Sequence, residues 1–236
     1  MHNFSRQTIL EFDPFEDNGL ISLKVIDLSD LGPLHYRLNE LIDFTSVNHQ
    51  PIVHPTQIAI PDEINALYRI VHKKAAYGKV CPHFFTLDTN IDPVWTQPIK
   101  YAKTLRHFGM CISPDFSLFT RMVRDQKHWN SFRNKYLSAL WQRLGIQVIP
   151  APSWGDLADL DFYLEGWPKK SIIAINSTGI GHDKQAQYIF LEGYHRACDY
   201  LCPTHILRYG IQIEGEYTDI STYYPNDNRK EVAYGS

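Results

Sequence analysis

The stretch from residue 171 to residue 210, SIIAINSTGIGHDKQAQYIFLEGYHRACDYLCPTHILRYG, contains the pattern that decides the fold. Its two ends, SIIAINS and THILRYG, are short runs that are apolar on both faces, which is typical of strands buried on two sides. Between them, over residues 184–201, apolar residues recur at helical spacing. A strand, a helix and a second strand in this order predict a βαβ unit with parallel strands.

The same alternation extends toward the N-terminus. Apolar runs predict strands over residues 80–87, 109–113 and 145–150, and amphipathic segments predict helices over residues 93–107 and 125–144. Repeated βα units of this kind form either a (β/α) barrel or an open doubly wound sheet. We favour a compact or incomplete barrel, because the helices follow the strands without an obvious break in the sequence.

The length of 236 residues favours a single α/β domain over two domains. We expect three parts within it: an irregular N-terminal part (1–79), regular βα units (80–210) and a polar, fraying C-terminal tail (211–236). The N-terminal part contains a possible strand over residues 20–28, helical spacing over residues 33–44 and a predicted helix over residues 61–76.

Composition narrows the classes of function. The formal net charge of −3 and the pI of about 6.4 do not favour nucleic-acid binding by the chain as a whole, although a local basic patch stays open. The four cysteines form no CxxC pair, so we expect reduced thiols in a cytoplasmic protein rather than a zinc site. No apolar stretch approaches the ~18 residues of a membrane span, and no signal peptide is visible.

From residue 83 onward the chain resembles a family of bacteria and bacteriophages known as domain of unknown function 4417. The resemblance rests on five segments in order: HFFTLDTNIDPVWTQPIKY, SPDFSLF, WQRLGIQVIPAPSW, AINSTGIG and FLEGYHRACDYLCPTHILRYG. It implies a protein of a phage or another mobile element. It implies no activity, ligand or catalytic residue.

Ligands of such folds bind beyond the carboxyl ends of the strands. We therefore expect the catalytic residues directly after the predicted strands. Asp115 and Asp156 each follow a strand, and their carboxylates suit either acid–base catalysis or Mg²⁺ or Mn²⁺. An aspartate at such a position also commonly caps the next helix, and that alternative stays open. His182, in the loop after the fourth predicted strand, is a third candidate acid or base.

Candidate ligand-binding residues lie in the same connections. The loop NSTGIG carries hydroxyls and glycines that can present backbone N–H groups to an anion, and a tight strand-to-helix turn is the alternative explanation. Aromatic residues after two strands can stack on a base or sugar, or can close the core. The candidates are Ser117, Trp154, Asn176, Ser177, Thr178, Gly179 and Tyr209.

Three functions fit these features. The first is an enzyme acting on a phosphorylated or nucleotide-like ligand, a small anion, at the strand ends. The second is a non-catalytic module that binds a ligand or a host or phage protein. The third is a nucleic-acid-associated phage protein, whose best basic residues are Lys73, Lys74, Lys79, Arg121, Arg124, Lys127, Arg133 and Lys135.

Overall fold

A computed structural model describes residues 34–181 and 183–225 of the chain. The described residues form seven strands and six α-helices. The strands are β1 (Ile64–Ala66), β2 (Cys81–His83), β3 (Met110–Ile112), β4 (Gln147–Ile149), β5 (Ile172–Asn176), β6 (His205–Gly210) and β7 (Ser221–Pro225). The helices are α1 (Leu67–Ile70), α2 (Asp88–Thr96), α3 (Pro98–Arg106), α4 (Arg124–Arg143), α5 (Leu160–Leu164) and α6 (Lys184–Leu201). Two 3-10 helices cover Tyr36–Leu41 and Lys74–Ala76.

All the paired strands are parallel, and they form three small sheets. β1 pairs with β2, β3 pairs with β4, and β5, β6 and β7 form the third sheet in that order. In the third sheet, Asn176 of β5 lies opposite Tyr209 of β6. Within the described residues no hydrogen-bonded ladder closes the strands into one ring, so the predicted barrel is not confirmed. The mixed α/β class with parallel strands is confirmed.

The strands share one apolar interior, which holds the sheets together. Side chains from β1 to β6, and from the residues just beyond β2 and β4, form this cluster, and Tyr224 of β7 packs against it. It contains Ile64, Cys81, Phe85, Ile112, Ile149, Ala151, Ile172, Ala174, Leu207 and Tyr209. Because side chains alternate along a strand, the intervening residues face outward, where helices α2, α3, α4 and α6 cover them.

The five strands predicted between residues 80 and 210 are confirmed, as are the long helices α4 and α6. Short apolar runs bounded by Gly or Pro indicate buried strands, and 3.6-residue periodicity over a long segment indicates a helix. The predicted helix over residues 61–76 is wrong, because the segment contains β1, one turn of α1 and a 3-10 turn. A three-residue strand is too short to show a period, and the acidic residues before it imitate a helix start.

Two boundaries also differ from the prediction. The helix predicted over residues 93–107 is two helices, and the first begins at Asp88 and contains Pro93. The tail predicted from residue 211 contains β7, whose sequence STYYP is half-exposed and carries no apolar run. The possible strand over residues 20–28 lies outside the described residues. Among the described helices, none is both long enough and apolar enough to cross a membrane.

Candidate functional site

Polar side chains from three connections meet at Asp115, three residues beyond the end of β3. The Asn176 side chain, at the end of β5, donates a hydrogen bond of 3.0 Å to Asp115 Oδ2. The hydroxyl of Ser153, in the connection after β4, is a second hydrogen-bond partner of this carboxyl group. The carboxyl ends of β3, β4 and β5 therefore converge on a single carboxyl group.

The environment of Asp115 raises the pKa of its carboxyl group toward neutral pH. Burial raises the pKa of Asp115 to about 6, because removal from water disfavours the charged form. The hydrogen bonds from Asn176 and Ser153 oppose this rise, and the negative charge of Asp88 adds to it. A carboxyl group with a pKa near 6 is able both to accept and to donate a proton at physiological pH.

A second set of side chains continues from Asn176 across the strand ends. Tyr209 lies beside Asn176 in the register of β5 and β6, one strand spacing of ~4.8 Å away. The Tyr209 ring packs against the imidazole of His83, at the end of β2, with 4.6 Å between ring centroids. It also stacks on Phe85 at 5.2 Å. Asp115, Ser153, Asn176, Tyr209 and His83 thus lie in sequence across the strand ends, and we call these five residues the polar layer.

His83 is a neutral hydrogen-bond donor in this layer. Burial, and secondarily the charge of Arg69, lower the pKa of His83 to about 3. Its Nδ1 accepts the backbone N–H of Phe85 at 3.1 Å, so the proton of the neutral ring resides on Nε2. The imidazole is 2% exposed and is therefore held in a fixed orientation.

A pocket of about 170 Å³ opens beside His83, between the ends of β1, β6 and β7. Its wall combines two aromatic side chains, Tyr209 and Tyr224, with one basic residue, Arg69. Two carboxylates, Asp62 and Glu63, also line it. A pocket with both positive and negative edges suits a small ligand that carries hydroxyl groups as well as an anionic group.

The predicted candidate Ser117 contacts the neighbouring connection rather than this pocket. Its backbone N–H and its hydroxyl both donate to Asp88 Oδ1, at 3.0 and 2.8 Å. Asn130 of α4 donates to the Ser117 carbonyl oxygen at 2.7 Å. These bonds fix the loop after β3 against α2 and α4, which places the nearby Asp115.

Asp156, the second predicted catalytic aspartate, lies in an ion pair with α4. Its Oδ2 accepts a hydrogen bond from Lys127 Nζ and another from the Tyr163 hydroxyl at 3.1 Å. Its Oδ1 accepts the backbone N–H of Asp159 at 3.0 Å. Burial raises the pKa of Asp156, but these hydrogen bonds outweigh burial and leave the pKa below its ordinary value.

The NSTGIG loop satisfies most of its polar groups internally. The Ser177 hydroxyl is buried and donates to the carbonyl oxygen of Ile211 at 2.6 Å. Asn176 Oδ1 accepts the Thr178 backbone N–H at 2.8 Å, while the Thr178 hydroxyl is buried without a partner among the described residues. Gly179 has a φ of +86°, which explains glycine at this turn. His182 lies outside the described residues.

Trp154 packs against α6 at a point where only glycine fits. Its indole N–H donates to the Ile189 carbonyl oxygen at 3.2 Å, and its ring lies 5.8 Å from that of Phe190. A Cβ at Gly193 would overlap the same indole ring. The proposed stacking role of Trp154 stays a prediction, and the observed contacts anchor the loop after β4 to α6.

Metal binding by Asp115 and Asp156 also stays a prediction. Within residues 34–181 and 183–225, no group of three or more His, Cys, Asp or Glu side chains is placed to hold a metal ion. Asp115 has an amide and a hydroxyl as partners, and Asp156 has an ammonium group and a phenol. Neither of these predicted Mg²⁺ or Mn²⁺ ligands therefore belongs to such a cluster.

The sequence indicated three members of the polar layer, Asp115, Asn176 and Tyr209, and missed two others. His83 lies within a predicted strand, where an isolated histidine is easily taken for a core residue. Its position two residues after the buried Cys81 was the available signal, because alternate residues of a strand face the same side. Ser153, next to the candidate Trp154, carries no such signal in the sequence.

The fold and the site together define an α/β protein with parallel strands and a polar pocket at the strand ends. Residues 43–224 match the model of the family described as "Domain of unknown function (DUF4417)", and the chain belongs to this family. The resemblance noted in the sequence is thereby confirmed.

Two bacteriophage proteins are similar to the chain. The Gene 1 protein of Mycobacterium phage L5 is 35% identical over 128 residues, which are 54% of this chain and 56% of that protein. The Gene 1 protein of Mycobacterium phage D29 is 32% identical over 161 residues, 68% of this chain and 59% of that protein. The chain thus spans less than two thirds of these curated relatives. No solved structure matches it.

Proposed function

We propose that the protein is an enzyme that transfers a proton to or from a small phosphorylated or nucleotide-like ligand bound over the strand ends. The observation that carries the proposal is the Asp115 carboxyl group, which Asn176 and Ser153 hold in a site that moves its pKa to about 6. Perturbed carboxyl groups of this kind concentrate at catalytic sites. Asp115 is the acid or base, and its two partners orient it.

The ligand class follows from the donors beside the pocket. His83 Nε2–H and the guanidinium of Arg69 are suited to an anionic group, and Asp62 and Glu63 to hydroxyl groups. Tyr209 lines the pocket and lies one strand spacing from Asn176, and in this proposal a sugar phosphate or nucleotide reaches from the pocket past Tyr209 toward Asp115.

We propose an incomplete barrel as the scaffold of this site. Successive strands lie side by side from β1 to β7, and their inward side chains share one cluster. The Tyr224 hydroxyl of β7 donates to the Pro61 carbonyl oxygen just before β1, which supports β7 and β1 as the two edges of the opening. The pocket of about 170 Å³ lies at this opening.

The test is a ligand and turnover screen with a paired variant. The protein is incubated in D₂O with a panel of sugar phosphates and nucleotides, and reactant loss and deuterium incorporation are followed by ¹H and ³¹P NMR. We expect turnover with an inflection near pH 6, and we expect Asp115→Asn to abolish turnover while the ligand still raises the melting temperature. The exposed Asp219→Asn is the matched control and should retain full turnover.

Two results would contradict the enzyme proposal. If Asp115→Asn turns over as fast as the unsubstituted protein, Asp115 is not the acid or base. If panel ligands raise the melting temperature but none is converted, the same pocket belongs to a binding module, which is the alternative function. Absence of both stabilisation and turnover would remove the proposed ligand class.

A further inference from the structure

Positive charge is concentrated in two segments of a chain that is acidic overall. Residues 64–87 and residues 93–114 contain seven Lys and Arg side chains and no Asp or Glu. The formal net charge of the chain is −3, so all other residues together carry −10. The small net charge of the chain therefore conceals a strong separation of positive and negative residues along the sequence.

The basic side chains of these segments are exposed. Lys73, Lys74 and Lys79 lie in the connection between α1 and β2, and all three are exposed. Lys100, Lys103 and Arg106 of α3 are also exposed, and their spacing of three residues places them along one side of the helix. We call these six residues the basic face.

An aromatic contact joins the two segments into one surface. The Tyr77 ring, in the connection before β2, stacks on the His107 imidazole, before β3, with centroids 4.9 Å apart and planes 9° apart. Tyr77 also meets the edge of Phe108 at 4.9 Å. Because both connections lead into strands, the basic face lies at the amino ends of β2 and β3, whereas the candidate site lies at their carboxyl ends.

The lysines of the basic face do not neutralise carboxylates of the described residues. Between residues 34 and 225, with residue 182 excepted, none of the five lysines of this face takes part in an ion pair; the paired basic residues include Arg124, Lys127, His128, Arg133, Arg196 and Arg208. Lys100 donates to the Gln97 side-chain oxygen at 2.9 Å. Three of the basic residues singled out in the sequence, Arg124, Lys127 and Arg133, are thus already paired with aspartates.

We propose that the basic face binds nucleic acid through its phosphate backbone. No large apolar side chain is exposed in residues 71–80 or on α3, although such side chains are exposed elsewhere in the described chain. Interfaces with proteins usually contain an apolar core, whereas interfaces with nucleic acid are polar and strongly positive. From Lys100 to Arg106, α3 rises ~9 Å, which corresponds to about two to three phosphates of one strand.

The experiment measures binding and its salt dependence with the full chain. Fluorescence anisotropy follows binding to a labelled 25-nucleotide single strand and to a 25-base-pair duplex between 50 and 300 mM NaCl. For four to six phosphate contacts we expect log K to fall with log [NaCl] with a slope of about −3 to −5. Lys73→Gln/Lys74→Gln/Lys103→Gln should reduce this slope by about 2 to 3 and weaken binding at every salt concentration.

The matched control removes three positive charges from exposed lysines outside this face: Lys169→Gln/Lys170→Gln/Lys184→Gln. We expect the affinity of this control to stay within about two-fold of that of the unsubstituted protein, because salt screens charges that are distant from the bound phosphates. Equal weakening in both triple variants, with both folded by thermal melting, would overturn the proposal. Absence of binding to either nucleic acid at 50 mM NaCl would also overturn it.

A competitor distinguishes nucleic acid from an acidic protein partner. Poly-glutamate with the same number of charges should need at least ~10-fold higher concentration than unlabelled duplex DNA to displace the duplex probe, because the duplex carries a charge every ~1.7 Å and extended poly-glutamate only one every ~3.5 Å. Equal competition would assign the face to acidic proteins and overturn the proposal. Loss of Asp115 should leave nucleic-acid binding unchanged, so this inference and the proposed enzyme function fail separately.

Discussion

Replacement of Asp115 by asparagine is expected to stabilise the folded protein at neutral pH. The pKa of Asp115 is raised from 3.8 to about 6, chiefly by burial. Each pKa unit corresponds to about 1.4 kcal/mol, so the ionised carboxylate lowers the free energy of unfolding by on the order of 3 kcal/mol above pH 6. Asparagine removes the charge and keeps an oxygen that accepts the Asn176 amide hydrogen bond.

The direction of the pH dependence follows from proton binding. Between about pH 4 and pH 6 the folded protein holds a proton on Asp115 that the unfolded chain has lost. The free energy of unfolding therefore falls as the pH rises through this window, and the full penalty applies above pH 6. Asp115→Asn lacks this dependence, so its advantage should grow from below about 1 kcal/mol at pH 4 to about 2–3 kcal/mol at pH 7.

Urea unfolding of the two proteins at pH 4, 5, 6, 7 and 8 measures this difference directly. Asp219→Asn, at an exposed site, should change the unfolding free energy by less than about 0.5 kcal/mol. A variant Asp115→Asn that is less stable at pH 7, or whose advantage does not vary with pH, would refute the reasoning. It would show that the carboxylate is part of the stable fold and not a strained functional group.

Three further predictions concern the framework around the site. Gly193→Ala places a Cβ 2.7 Å from Cδ1 of the Trp154 indole and should cost ~1–3 kcal/mol in urea unfolding, with partial recovery in combination with Trp154→Leu. Arg208→Met leaves the buried Glu216 carboxylate unpaired and should cost ~3–5 kcal/mol, whereas adding Glu216→Leu should recover at least half of that loss in a double-mutant cycle. Lys127→Met removes a hydrogen bond that lowers the pKa of Asp156, so a ¹³C NMR titration should show that pKa rise; an unchanged titration would contradict the observed pairing.

Elements with long, regular patterns were predictable from the sequence. The strands from β2 to β6 are apolar on both faces, and α4 and α6 repeat apolar residues for five turns, so each is visible within its own residues. β1 and β7 were not predictable in this way. β1 has three residues, and β7 has a half-exposed sequence, so both depend on neighbouring strands that are distant along the chain.

The candidate site was predictable only to the extent that parallel strands end together. This rule assigns Asp115, Asn176 and Tyr209 to one end of the fold from their order along the chain alone. It does not distinguish Asp115 from Asp156, since both aspartates follow strands. The two differ because Lys127 of α4 meets Asp156, while Asp115 turns toward Asn176 and is mostly buried.

The sequence by itself determined the alternation of strands and helices, the family and the end of the fold where polar residues gather, because these depend on local periodicity and order. Tertiary structure decided which charges are paired and which face solvent. Total charge disfavoured a polyanionic partner, yet the stacking of Tyr77 on His107 brings two lysine-rich, acid-free segments together. Electrostatic potential depends on distances in space, and net charge along a chain contains no such distances.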